Sequence, residues 1–196
     1  VLRIGHVGVA RSHPDYAGIE VMNTAFGGLV SSRINLNLRE THGYTYGASS
    51  AYVFRRGPGP FLIGTSVQTE VTAPAVSEIF GEIKRMREGI LTFEELAKAK
   101  DSIARSLPSL FETTPESASS IGQLFVHGLS PDYYQRLPGE IQRVSVAGVE
   151  HIAWKHMRPE EMVIAAVGDR ARIEPELGKL DLGPIEIRDA AGNSLP

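Results

Sequence analysis

Between residues 44 and 68 the chain commits itself to a hairpin. Tyr44, Tyr46, Ala48, Ser50, Tyr52 and Phe54 recur at every second position, which places them on one face of an extended strand. Arg55-Arg56-Gly57-Pro58-Gly59-Pro60 follows, and glycine alternating with proline makes a strong turn. Phe61 to Gln68 then reads as the returning strand. Whatever else the chain does, its other segments must cover one face of this pair.

Most of the remainder has helical spacing. Val1 to Ala10 reads as a strand. Pro14-Asp15 opens a helix carrying Ile19, Met22 and Phe26, and Gly27-Gly28 is expected to stop it through a left-handed exit. Val30, Ile34 and Leu38 mark a second helix that Gly43 ends. Val76, Ile79, Phe80, Ile83 and Ile90 form an amphipathic stripe. Thr92 and Glu95 make a capping box for a helix that Pro108 should end or kink. Thr114-Pro115 and Ser130-Pro131 look like caps followed by proline at the first helical position, and Ser145 starts a helix with Val149, Ile152, Ala153 and Met157 inward. Met162 to Val167 is a continuous apolar run, expected as a strand buried on both faces. The sum predicts an α+β fold: a mixed, mainly antiparallel sheet with helices layered on one face. One domain over residues 1–182 and a tail or linker over 183–196 are expected.

Composition removes several classes. A chain of 196 residues with 42% hydrophobic and 22% charged residues can bury a core of its own. A net charge of −3 argues against a nucleic-acid-binding protein. Without cysteine, disulfides and thiolate zinc sites are out, and the compartment stays open. No apolar run of about 18 residues is present, so no membrane span is expected. The opening Val1-Leu2-Arg3-Ile4, without methionine, suggests a piece of a longer protein, so a targeting segment cannot be judged.

Chemistry is scarce. The histidines at 6, 13, 42, 127, 151 and 156 form no His-x-x-x-His, His-Glu-x-x-His or His-x-x-Glu-His pattern. His151 and His156 are about 140° apart on a helix and cannot easily share an ion. No phosphate-binding loop and no Gly-x-Ser-x-Gly elbow occurs, and Ser31-Ser32 is better explained as a helix cap. Arg39 and Tyr46 remain. They flank the helix-to-strand turn at Gly43, so a guanidinium and a phenol can converge there. Together they offer several donors and little acceptor capacity, which suits a carbonyl or the oxyanion it becomes. The plainer alternative pairs Arg39 with Glu40 or a helix C-terminus and puts Tyr46 in the core.

Several pieces resemble the non-catalytic half-domain of the pitrilysin-type zinc metallopeptidases, the inverzincins, and their bacterial members most. They are Pro14-Asp15, Asn23, Gly27-Gly28, Ser31-Ser32-Arg33, Leu38-Arg39-Glu40, Gly43-Tyr44-Thr45-Tyr46, Leu91-Thr92 with Glu95-Leu96, Ala99-Lys100, Glu112-Thr113 and Val167-Gly168-Asp169. The resemblance implies two homologous α+β halves facing each other. One carries His-x-x-Glu-His and zinc, and the other supplies an arginine and a tyrosine seven residues apart to a peptide substrate. Arg39 and Tyr46 match that pair, and Tyr44, on the same expected strand face, is a third substrate-binding candidate. Thr45 and Tyr44 depart from the hydrophobic residue and alanine that many relatives carry there. The resemblance implies no metal, no catalytic residue and no cofactor in this chain, which would be inactive alone. Zinc is expected in a partner half, fused or separate, in the bacterial cytoplasm or periplasm. Two other functions fit the same fold: a non-enzymatic scaffold, and a domain that captures extended peptides at a sheet edge.

Overall fold

The computed structural model describes residues 1–195; Pro196, the last residue of the expected tail, lies outside them. Among the described residues four strands form one sheet: β1 (Leu2–Val7), β2 (Thr45–Tyr52), β3 (Pro60–Val67) and β4 (Val163–Ala166), in the order β2-β3-β1-β4. All three ladders are antiparallel, and the parallel pairing is the isolated bridge Ala10↔Arg55.

Strand alternation decides which face is covered. Leu2 and Ile4 of β1, Phe61 and Ile63 of β3, and Ala48 and Tyr52 of β2 are buried against the helices. Their neighbours Arg3, Val7, Leu62, Ser66, Ser49 and Ala51 lie exposed on the other face. The covering layer is built from α1 (Tyr16–Asn23), α2 (Arg33–Asn35), α3 (Thr72–Arg87), α4 (Phe93–Ser106), α6 (Tyr133–Arg143) and α7 (Val146–His156), while α5 (Thr114–His127) packs on the turn Pro108–Phe111 and leaves most of its surface exposed. Val76, Ile79 and Ile83 of α3 and Val149 and Ala153 of α7 complete the core, each large aliphatic side chain stabilising the fold by about 1.5–3 kcal/mol. The fold is therefore α+β, with one sheet face covered and one open.

Local signals set most helix starts. Thr92 and Glu95 form the expected capping box, and Ser145 accepts from the Gly148 amide. Pro108 opens a short 3-10 turn after α4. The cap of α5 is Thr113 rather than Thr114, because Glu116 completes a reciprocal box with Thr113. At α6 the cap position is Asp132, and Ser130-Pro131 belongs to the turn before it. Helix α8 (Arg170–Gly178), capped by Asp169, has no counterpart in the sequence expectations.

Four expectations change on packing. Gly27 and Gly28 do not take a left-handed exit; they close a π-helical turn, Thr24–Gly28. Gly27 is required by close approach, since a Cβ there would stand 2.2 Å from Ser50 Oγ and 2.6 Å from Ser50 N. Gly43 does adopt a left-handed φ of 64°. Ser32 occupies the cap position of α2, but its buried hydroxyl makes no capping bond. Strand β4 is not buried on both faces: it is the sheet edge, and Val163 is 73% exposed. Ile90 lies beyond the end of α3 and is half exposed.

Candidate functional site

Helix α2 continues as a π-helical turn, Leu36–Thr41, which carries Arg39. Its root is anchored by Arg33, whose guanidinium grips Glu95 with Nε at 2.6 Å and Nη2 at 2.8 Å. Glu95 is the same residue that caps α4, so α2 and α4 are held by one carboxylate. The left-handed Gly43 then turns the chain, and the Tyr44 amide donates to the Leu38 carbonyl at 2.8 Å.

The next residues break the strand alternation. A bulge lies between Thr45 and Ala48. The Thr45 hydroxyl donates to the Ser66 carbonyl at 2.7 Å and accepts from the Gly47 amide at 3.1 Å, while the Thr65 hydroxyl reaches it at 3.0 Å. A hydroxyl thus takes the place of a ladder partner, and the extra residue reverses the facing of what precedes it. Ala48, Ser50 and Tyr52 point inward, but Tyr46 is 91% exposed. Tyr44 lies before the strand, half-buried, with its ring stacked on His42 at 4.8 Å. Tyr44 and Tyr46 therefore do not share a strand face, a correction that the Thr45 bulge explains.

The Arg39 guanidinium carbon lies 5.3 Å from the centroid of the Tyr46 ring, within cation–π range. Arg39 Nε also pairs with Glu40 at 3.2 Å. Glu40 is exposed and Arg39 partly so, and exchanging such a surface pair for another acceptor costs little. Tyr46 borders a shallow depression of about 500 Å³ on the open sheet face, floored by Ser49, Ala51, Leu62 and Gly64, with Arg3 also lining it. The arrangement offers the Tyr46 phenol, with Arg39 beside it, and the Arg3 guanidinium around a floor without acidic groups, where an extended chain can lie.

The outer edge of β2 is occupied by its own domain. Asn35 Oδ1 accepts from the Ala48 amide at 2.9 Å, and Asn23 Nδ2 donates to the Ser50 carbonyl at 3.2 Å. These side chains blunt the edge against another strand.

A second cluster has no local sequence signature. His13 and Asp15, just before α1, meet His156 at the end of α7. His156 Nε2 is 2.8 Å from Asp15 Oδ2, Lys155 Nζ is 2.6 Å from the same oxygen, and His13 Nδ1 is 3.9 Å away. Burial of Asp15 opposes ionisation, yet hydrogen bonds from Lys155 and His156 outweigh it and hold the carboxyl below its ordinary range. Burial pushes His156 below the usual histidine value, against the opposing pull of Asp15. Spacing rules compare residues within a few turns, whereas these groups are 141 positions apart.

A family model described as the peptidase M16 inactive domain matches residues 2–103. The Bacillus subtilis (strain 168) protein named "Probable inactive metalloprotease YmfF" is 23% identical over 142 residues, 72% of this chain and 30% of its own length. A peptidase M16 inactive domain from Pseudomonas fluorescens superposes with a TM-score of 0.77 at 25% identity, over 83% of this chain and 39% of that one. The inactive peptidase domain of a zinc protease candidate from Bordetella parapertussis superposes at 0.71 with 13% identity, over 84% and 89% of the two chains. The chain thus spans well under half the length of the Bacillus and Pseudomonas proteins. Among the described residues no helix is long and apolar enough to cross a membrane.

Proposed function

The chain belongs to the peptidase M16 inactive-domain family, and from that premise we propose that it is the substrate-facing, non-catalytic half of a zinc-dependent peptidase. Residues 1–182 form the half-domain in this reading, and 183–196 a tail or linker. The observation that carries it is the placement of Arg39 and Tyr46: a part-exposed guanidinium within cation–π range of a fully exposed tyrosine ring at the rim of an open sheet face.

The peptide lies across that face, between this domain and a homologous partner half. Zinc held by the partner's His-x-x-Glu-His segment would supply the activated water. Arg39 and Tyr46 bind and orient the substrate backbone: the guanidinium gives up Glu40 for a peptide carbonyl, and the phenol donates a second hydrogen bond. Once seated, these donors stabilise the negative charge that develops on that oxygen. Closure of the two halves brings these donors to the scissile bond and excludes water. Capture of a peptide along β2 alone is disfavoured by Asn35 and Asn23, which already hold that edge.

The test is peptide hydrolysis by the parent protein, or by this chain mixed with its zinc-bearing partner, as wild type and as Arg39→Ala/Tyr46→Phe. Loss of about 100-fold or more in kcat/KM, with zinc retained, is expected. Unchanged hydrolysis would make the pair structural and remove the proposal. The name of the Bacillus relative favours a second reading, a parent protein that binds or scaffolds without turnover. Absence of hydrolysis in every combination, with the partner zinc-loaded, would select it.

A further inference from the structure

We propose that His13, Asp15 and His156 form a site for a divalent transition metal of zinc-like chemistry, which staples the β1–α1 loop to the end of α7. The site is independent of the Arg39–Tyr46 pair and of any zinc held by a partner half.

The ligand set comes first. Two imidazoles and one carboxylate present one donor atom each, all within 4.8 Å of one another. Zinc takes imidazole nitrogen and carboxylate oxygen at about 2.0–2.2 Å, which separates tetrahedral ligands by roughly 3–3.6 Å. The observed spacings of 2.8 Å and 3.9 Å to Asp15 Oδ2 bracket that range, so small side-chain rotations suffice. Three protein ligands leave one position for water. The mixed nitrogen and oxygen donors suit zinc, cobalt and nickel better than magnesium or calcium.

Asp15 supplies an independent sign. It stands at the cap position of α1, where an aspartate side chain ordinarily accepts from the helix amides, yet it makes no such bond. Its carboxylate is turned away, toward His156 on another helix. His156 is buried, and its end of α7 is fixed by the Tyr52 hydroxyl, which donates to the His156 carbonyl at 2.9 Å. The ring of His13 stands edge-on to that of His156, with centroids 5.2 Å apart. The Asp15 amide donates to His13 Nδ1 at 3.1 Å, and coordination at that nitrogen would replace a single neutral hydrogen bond.

Lys155 is the cation that now neutralises Asp15, at 2.6 Å from the oxygen a metal would share. Its side chain is 46% exposed, so it can swing into solvent when an ion enters. A lysine that competes with the metal gives the proposal a signature that adventitious binding lacks. Removing a ligand must weaken binding, and removing Lys155 must strengthen it.

The experiment strips the 196-residue chain with chelator and titrates it with Zn²⁺ by calorimetry and with Co²⁺ by visible absorption. One ion per chain is expected, with cobalt bands typical of a low-coordinate nitrogen and oxygen site and a raised melting temperature. Asp15→Asn and His156→Ala should each weaken binding by more than about 100-fold. Lys155→Met should tighten it several-fold, and His151→Ala, remote from the cluster, should change nothing. If His156→Ala fails to fold, His13→Gln and Lys155→Met still decide, since both alter partly exposed positions. No binding by wild type, equal binding by Asp15→Asn, or weaker binding by Lys155→Met would each overturn the proposal.

Discussion

Tyr46 and Tyr52 are the same amino acid on the same strand, an even number of residues apart, and the molecule uses them in opposite ways. Strict alternation would put both on one face. Tyr52 is buried, stacks on Phe61 at 4.5 Å and holds the end of α7 through its hydroxyl. Burial drives its phenol far above the ordinary tyrosine range. Tyr46 stands 91% exposed beside Arg39. The two lie roughly 20 Å apart along β2, with Tyr46 inside the bulge between Thr45 and Ala48 and Tyr52 in the regular ladder beyond it. A hydrogen-bonded core tyrosine is a strut, whereas an exposed tyrosine beside a cation is available to something that comes from outside.

The contrast can be broken at several points. The largest effect is expected where the π-helical turn packs on the middle of β2: Gly27→Ala drives a methyl into Ser50 and should destabilise by about 2–3 kcal/mol, read as a lower urea midpoint. Wild-type stability in that variant would mean that β2 and the π-helical turn are not held in register by close approach. Next comes the pair of conservative variants. Tyr52→Phe leaves a buried carbonyl without its donor and should cost about 1–2 kcal/mol, while Tyr46→Phe should stay within about 0.5 kcal/mol of wild type. Equal losses would erase the distinction between strut and handle. Thr45→Val removes the hydroxyl that serves Gly47 and Ser66, and should cost about 1 kcal/mol and lower Tyr46 exposure to solvent quenchers.

The smallest effect concerns pH at the Tyr52 end. His6 packs on Phe61 with centroids 5.2 Å apart, and burial holds its pKa below the ordinary 6.5. The Val7 carbonyl pulls in the other direction, and Arg158 reinforces the lowering. The unfolded chain therefore binds this proton more readily than the folded one. Stability from the neutral ring is fully present above pH 6.5 and is lost as pH falls through the folded value. Urea midpoints should drop between pH 7.5 and pH 5.5, and His6→Gln should flatten that slope. A slope unaltered by the substitution would assign the acid sensitivity to other groups.

Much of this was legible in the sequence where the cause is local. The turn from Arg55 to Pro60, the capping box of Thr92 and Glu95, the cap at Ser145 and the helix stop at Gly43 each depend on residues within one or two turns of chain. The nearness of Arg39 and Tyr46 is of the same kind, because seven residues around a glycine turn can bring two side chains together. The amphipathic stripe of α3 foretold its buried face for the same reason.

Tertiary structure decided the rest. Which way Tyr46 faces depends on a hydroxyl cluster to which the neighbouring strand contributes Thr65 and the Ser66 carbonyl. The need for glycine at 27 is set by Ser50 on the strand packed against it. The exposure of β4 follows from sheet order, which no apolar run reveals, since an edge strand and a central strand can share one composition. The meeting of His13, Asp15 and His156 requires α7 to dock beside the start of α1. Local propensity acts through neighbours along the chain, whereas register, burial and clusters of polar groups arise only when distant elements share one core.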